Sequence, residues 1–209
     1  MSAGGVGVLQ RLSARTRTFL SIAGVVVVLD QITKWLAVSR LTTAFEAFSG
    51  EALGFGDKLS RFLWQKHPVK SEAFAVLDDF WHFRYVENPG AAWGFLSGSA
   101  SWFRTPFFLL VSVGAMIFII HYVRKTTAEQ RLLRLALALV FGGALGNFID
   151  RVRLGYVIDF IDWHWFDKAT WPTFNIADSG ISVGVALMVL EMMFSRTPKS
   201  EPEQSAAPK

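Results

Sequence analysis

The sequence predicts a mainly α-helical integral membrane protein. It has four transmembrane helices, both termini in the cytoplasm, a small extracytoplasmic β-sheet and an amphipathic helix suited to the membrane interface. Three observations carry this prediction. Hydrophobic residues make up 52% of the 209 and charged residues only 18%, against roughly 45–50% and 25% in ordinary soluble domains. The mean hydropathy is +0.34. The apolar excess is also gathered into long runs, each near the roughly 20 residues a helix needs to cross the hydrocarbon core.

The first run covers about 19–38 and contains Val25, Val26, Val27 and Val28. It has a basic flank like a secretory signal, but Asp30 and Lys34 lie inside it and no small-x-small cleavage site follows, so it is expected to stay as an anchor. In the long loop after it, Phe55, Leu59, Phe62 and Leu63 share one helical face, which predicts an interfacial amphipathic helix. A partly ordered insertion without a role is the alternative. Phe80–Val86 is aromatic and β-prone. Asn88-Pro89-Gly90 then signals a turn, and Ala91–Phe95 is expected to return as a second strand. The second run covers about 106–123. The third covers about 132–149, with Arg134 near its start. The short loop that follows holds Trp163, Trp165 and Trp171, and tryptophan favours the membrane boundary. The fourth run covers about 176–194. Residues 1–196 are read as one domain, and 197–209, rich in Pro, Ser, Glu and Lys, as a disordered cytoplasmic tail.

Charge sets the orientation. Arg11, Arg15 and Arg17 precede the first run, Arg124, Lys125 and Arg131 lie between the second and third, and Arg196 and Lys199 follow the fourth. By the positive-inside rule these regions share the cytoplasmic side. The formal net charge of +4 then reads as basic loops against anionic lipid, not as a nucleic-acid surface.

Ionisable residues within membrane segments are costly and are functional candidates by default. Asp30 and Lys34 have the favourable acid-then-base i,i+4 order. They read as a self-neutralising pair holding the first helix to its neighbours, with substrate handling as the alternative. Asn147, Asp150 and Arg151 end the third helix behind Gly142, Gly143 and Gly146, and read as a polar network beside a site. Asp159 is an acid in the otherwise apolar stretch Tyr156–Ile161. Asp178 starts the fourth helix, where an aspartate is often only a cap or a dipole partner. Taken together on one side of the membrane, Asp159 and Asp178 can serve as an acid/base dyad. Two nearby carboxylates cannot both ionise cheaply, so one keeps a proton. One then activates water while the other protonates. Such chemistry needs no metal and no cofactor.

Other chemistries fit less well. The chain has no cysteine, which removes disulfides, thiol nucleophiles and cysteine-bound metals. His67, His82, His121 and His164 make no H-E-x-x-H. Gly180-Ile181-Ser182-Val183-Gly184 matches G-x-S-x-G but lies inside a membrane helix, where it reads better as a G-x-x-x-G packing face. Two rivals to a protease are a proton- or ion-coupled transporter, with Asp30, Lys34, Asp150, Asp159 and Asp178 as a relay, and a structural scaffold.

Four segments together resemble the lipoprotein signal peptidase (signal peptidase II) family. They are Asp30-Gln31-Ile32-Thr33-Lys34, Asn88-Pro89-Gly90-Ala91-Ala92-Trp93-Gly94, Gly143 to Arg151 continuing through Gly155 to Phe160, and Phe174-Asn175-Ile176-Ala177-Asp178. The resemblance implies a bacterial inner-membrane aspartyl protease with a small extracytoplasmic sheet and its site toward the periplasm. Its substrates would be prolipoproteins bearing a diacylglyceryl cysteine, cleaved before that cysteine, with membrane lipids around it and a monomeric state. By motif position Asp159 and Asp178 match the catalytic aspartates. Asn88, Asn147, Arg151 and Asn175 match polar positions around the site, and Asp30 and Lys34 match the first-helix pair. The stretch from about 45 to 79 is longer than usual for the family, and Trp93 stands where phenylalanine is more common.

Overall fold

A computed structural model describes residues 14–46, 53–65, 70, 72–90 and 101–194. Its elements in order are α1 (Ala14–Leu41), α2 (Phe55–Trp64), β1 (Phe74–Leu77), β2 (Trp81–Asn88), α3 (Ser101–Lys125), α4 (Arg131–Leu154), β3 (Val157–Trp165), a 3₁₀ turn (Phe166–Lys168), β4 (Ala169–Thr170) and α5 (Ile176–Phe194). The predicted return strand Ala91–Phe95, the tail and Trp93 lie outside the described residues.

Four helices are long and apolar enough to span a bilayer: α1, α3, α4 and α5. At 1.5 Å per residue even the shortest approaches the roughly 30 Å hydrocarbon thickness. They are inside-out by soluble standards. Leu20, Val25, Leu110, Phe118, Val189 and Met193 are exposed, while Asp30, Lys34 and Asp150 are buried. Lipid in place of water makes that arrangement favourable.

Helices α1, α3 and α4 run past the predicted ends because the polar and basic residues flanking those apolar runs continue the turns, while α5 keeps the predicted bounds. α3 begins at Ser101 and carries Pro106 inside it. As the sixth residue, the proline removes the bond that an N–H there would make to the carbonyl four residues earlier. α4 stops at Gly155, whose φ of 81° lies in the left-handed region and whose N–H bonds to the Arg151 carbonyl at 3.0 Å, a cap that favours glycine.

Helix α4 is the hub, packed against α5, α1 and α3. Small residues make the approach possible. A Cβ on Gly143 would stand 2.3 Å from the Ala177 carbonyl oxygen, and one on Gly184 would stand 2.7 Å from that of Ala136. The Gly180/Gly184 pair is thus a packing face, as its spacing suggests.

The sheet has the order β1-β2-β3-β4 and is antiparallel throughout. β2 pairs with β1 on one side. On the other it pairs with β3, in a register running from Trp81 opposite Trp163 to Asn88 opposite Val157. β3 is the element the sequence concealed. Its first six residues are all buried, so its apolar residues are broken only by Asp159 and Asp162 and lack the alternation that marks a one-sided strand.

The predicted amphipathic helix is present as α2. It docks on the molecule through Phe62, which meets Trp35 edge-on at 5.2 Å and lies under the Arg153 guanidinium at 4.5 Å. Arg61 adds bonds to the Ala44 and Glu46 carbonyls. Phe62 belongs to a core with Val38, Leu41, Tyr85, Tyr156 and Ile158, where the sheet meets the end of α1.

Candidate active site

Two aspartates arrive from different elements. Asp159 is the third residue of β3, and Asp178 is the third residue of α5. Asn175, immediately before α5, binds both. Its Nδ2 donates to Asp159 Oδ1 at 2.7 Å, and its backbone N–H donates to Asp178 Oδ2 at 3.2 Å. Its Oδ1 accepts the Asp178 N–H at 2.9 Å. The last two bonds form a reciprocal cap at the helix start. The cap reading of Asp178 is therefore correct for one oxygen. The other, Oδ1, accepts from Asn147 Nδ2 at 2.7 Å.

The asparagine amides have their orientations fixed by their other partners. Asn88 Oδ1 accepts the Gly90 N–H at 2.8 Å, which turns its Nδ2 to Asp159 Oδ2 at 2.9 Å. Asn147 Oδ1 accepts from Lys34 Nζ at 3.2 Å and from Asn175 Nδ2 at 3.1 Å, which leaves its Nδ2 for Asp178. Each carboxylate thus receives two N–H donors. Where the carboxylate is ionised, bonds of this charge-assisted kind contribute about 1.5–3 kcal/mol each.

The environments of the two acids differ. Asp159 is 1% exposed, and Asp178 is half-buried. Burial pushes the Asp159 carboxyl up to about 8, and the Asp178 charge pushes the same way; the bonds from Asn88 and Asn175 and the nearby Lys34 oppose it. Burial and the neighbouring charge thus both favour a proton on Asp159. Arg151 interacts electrostatically with Asp178, Asp159 and Asp150, and its guanidinium lies 5.2 Å above the Phe108 ring.

A second polar cluster adjoins the first through Asn147. Lys34 Nζ lies 2.9 Å from Asp30 and 2.8 Å from Asp150, all with fully buried side chains. Asp30 Oδ1 accepts the Ala177 N–H, one residue before Asp178, at 3.0 Å. Asp150 Oδ2 accepts the Ile158 N–H, one residue before Asp159, at 3.2 Å. The cluster therefore anchors the backbone beside each aspartate. Asp30 and Lys34 pair with each other and join the first helix to its neighbours; Asp150 shares the lysine, and Arg153 balances this second acid at 2.7 Å.

All nine sequence-predicted residues lie in or beside this assembly. Reasoning from the sequence overlooked two others. Gln31 Nε2 donates to Asp30 at 3.1 Å and Asp150 at 3.2 Å. Arg153 joins Asp150 to α2, bonding the Phe62 carbonyl at 3.1 Å. The signal for Arg153 was its i,i+3 spacing from Asp150.

The family model for signal peptidase (SPase) II matches residues 22–194. The chain belongs to the signal peptidase II family. It is 55% identical over 168 residues to the lipoprotein signal peptidase of Anaeromyxobacter sp. (strain Fw109-5), with 78% of this chain and 79% of that one covered. It is 49% identical over 137 residues to the lipoprotein signal peptidase of Geobacter sulfurreducens, covering 66% and 84%. A solved structure described as a bacterial membrane enzyme superposes with a TM-score of 0.64 at 31% identity, covering 89% of this chain and 93% of that one. As a signal peptidase II the protein is a multi-pass membrane protease. The transporter reading finds no support.

Proposed function

We propose that this peptidase removes signal peptides from diacylglyceryl-modified prolipoproteins, cleaving before the lipid-modified cysteine with Asp159 and Asp178 as its acid/base dyad. The observation that carries the proposal is the single residue Asn175, which donates to both carboxylates. Asp178 is half-buried and held as an acceptor, so it takes the proton from an attacking water. Asp159, buried and holding its proton, delivers it to the scissile carbonyl oxygen as the tetrahedral diol forms; as the C–N bond then breaks, Asp178 passes the proton it took from water to the departing amine and Asp159 recovers its own from a diol hydroxyl, which restores the dyad. Arg151 and the asparagines steady polar groups around the bond.

The substrate enters sideways with its acyl chains still in lipid. The described elements act as one peptidase domain, in a bacterial inner membrane and as a monomer. The dyad faces the periplasm. Support for this orientation comes from charge. Arg15 Nη1 donates to the Thr126 carbonyl at 3.0 Å, so the basic start of α1 meets the basic α3–α4 connection at one end. The dyad lies at the opposite end of α4 and the start of α5. The ends of α1 and α5 nearest the chain termini thus face the cytoplasm.

The test uses purified protein with two versions of one precursor, diacylated and unlipidated, and locates the cleaved bond by mass spectrometry. The expected result is a cut before the modified cysteine in the diacylated precursor alone. Equal cutting of both would contradict the lipid requirement.

A further inference from the structure

One face of the sheet carries a cluster that peptide cleavage does not use. His82 on β2 stands opposite Asp162 on β3. His164 lies two residues along β3, which puts it on the same side of the strand as Asp162. The two imidazole rings are 4.4 Å apart. Each of the three residues offers a ligand atom within 4.8 Å of the other two. The strands have therefore assembled a set that no local spacing in the sequence could reveal.

Asp162 supplies the second observation. It is 7% exposed. Its Oδ2 pairs with Arg84 Nε at 3.1 Å. Its Oδ1 is buried and has no hydrogen-bond partner among the described residues. A buried carboxylate oxygen is seldom left without a donor or a cation. Here two half-buried imidazoles flank it.

We propose that His82, Asp162 and His164 bind a divalent first-row transition ion, with zinc the best fit. Two imidazole nitrogens and one carboxylate oxygen are a borderline donor set, suited to zinc and unlike the all-oxygen shells that magnesium and calcium take. Zinc bonds of about 2.0–2.1 Å would draw the ligand atoms to roughly 3.4 Å of one another. Small rotations of the two imidazoles close that gap. The fourth position stays open to solvent. Arg84 remains on Oδ2 as the outer partner that orients the carboxylate, and its positive charge moderates the affinity. The ion clips β2 to β3, the two strands that carry Asn88 and Asp159. It stiffens the platform of the dyad without touching the reacting atoms.

The competing account is a cross-strand Arg84–Asp162 ion pair beside an ordinary His–His contact. Metal binding distinguishes the two. Full-length protein in detergent, freed of any affinity tag and treated with chelator, is titrated with zinc chloride by calorimetry and with cobalt chloride by visible absorption. The expected result is one saturable equivalent per chain and a thermal midpoint that rises with zinc. His82→Ala and His164→Ala should each weaken binding at least about tenfold and abolish the zinc-dependent shift. His121→Ala, in α3, should bind as the unmodified protein does. Circular dichroism in metal-free buffer shows whether each variant is folded. Absence of a saturable equivalent, or equal binding by folded His82→Ala and His164→Ala variants, overturns the proposal.

Discussion

At the scale of single residues, the site depends on how two similar acids come to behave differently. Asp159 sits among buried strand residues with its carboxyl pushed up to about 8, and Asp178 stays half-buried at a helix start. Cleavage should therefore fall as pH rises through about 8, when Asp159 loses the proton it must donate. The kcat/KM profile against pH checks this, and an activity still climbing above pH 9 would contradict it. Stability follows the same proton. The folded-state value lies above the ordinary carboxylate value of 3.8, so the native state binds the proton more tightly than the unfolded chain. That contribution is complete below about pH 4 and is lost as pH rises through about 8. Asp159→Asn should flatten this slope in thermal unfolding. The two candidate acids were conspicuous in the sequence, because an acid in an apolar stretch and an acid at a membrane helix start both stand out. The difference between them was not, since it depends on burial by β2 and α5, elements remote in the chain.

At the scale of elements, turns and helix contacts place the asparagines. Gly90 has a φ of 103°, and a Cβ there would stand 2.2 Å from the Phe108 ring, the same ring that supports Arg151. Gly90→Ala strains the backbone by about 1–2 kcal/mol and displaces the ring. The expected outcome is a midpoint lower by roughly 2–4 °C per kcal/mol, together with a loss of cleavage greater than that destabilisation explains. Normal cleavage at the lowered midpoint would show that Phe108 does not position Arg151. Turn chemistry made Asn88-Pro89-Gly90 readable in advance. The spans were readable too, because length and hydropathy suffice for them. β3 was not, because a strand buried on both faces has no period to detect. Its pairing also makes β2 an interior strand, a relation carried by residues about seventy to eighty positions apart in the chain.

At the scale of the whole molecule, the polar interior is one connected structure. Lys34 joins Asp30 and Asp150, which hold the backbone before Asp178 and Asp159. Arg153 carries the connection on to α2. Breaking a buried pair by removing one partner costs about 3–5 kcal/mol, because it strands the remaining charge. Lys34→Met should therefore destabilise the protein by about that amount in thermal unfolding, and a change under about 1 kcal/mol would show that the cluster contributes no more than a surface pair. The sequence revealed Asp30, Lys34 and Asp150 as costly charges in membrane helices. It could not show that they form one cluster, because only the packing of α4 on α1 brings them together. The central claim is that Asp159 and Asp178 carry the reaction while this framework holds them. Its most direct test is the cleavage rate of Asp159→Asn and Asp178→Asn on a diacylated precursor, measured beside their thermal midpoints. Each variant should lose at least about 100-fold in rate while still unfolding cooperatively. Cleavage within a few-fold of the unmodified protein by either variant would contradict the account.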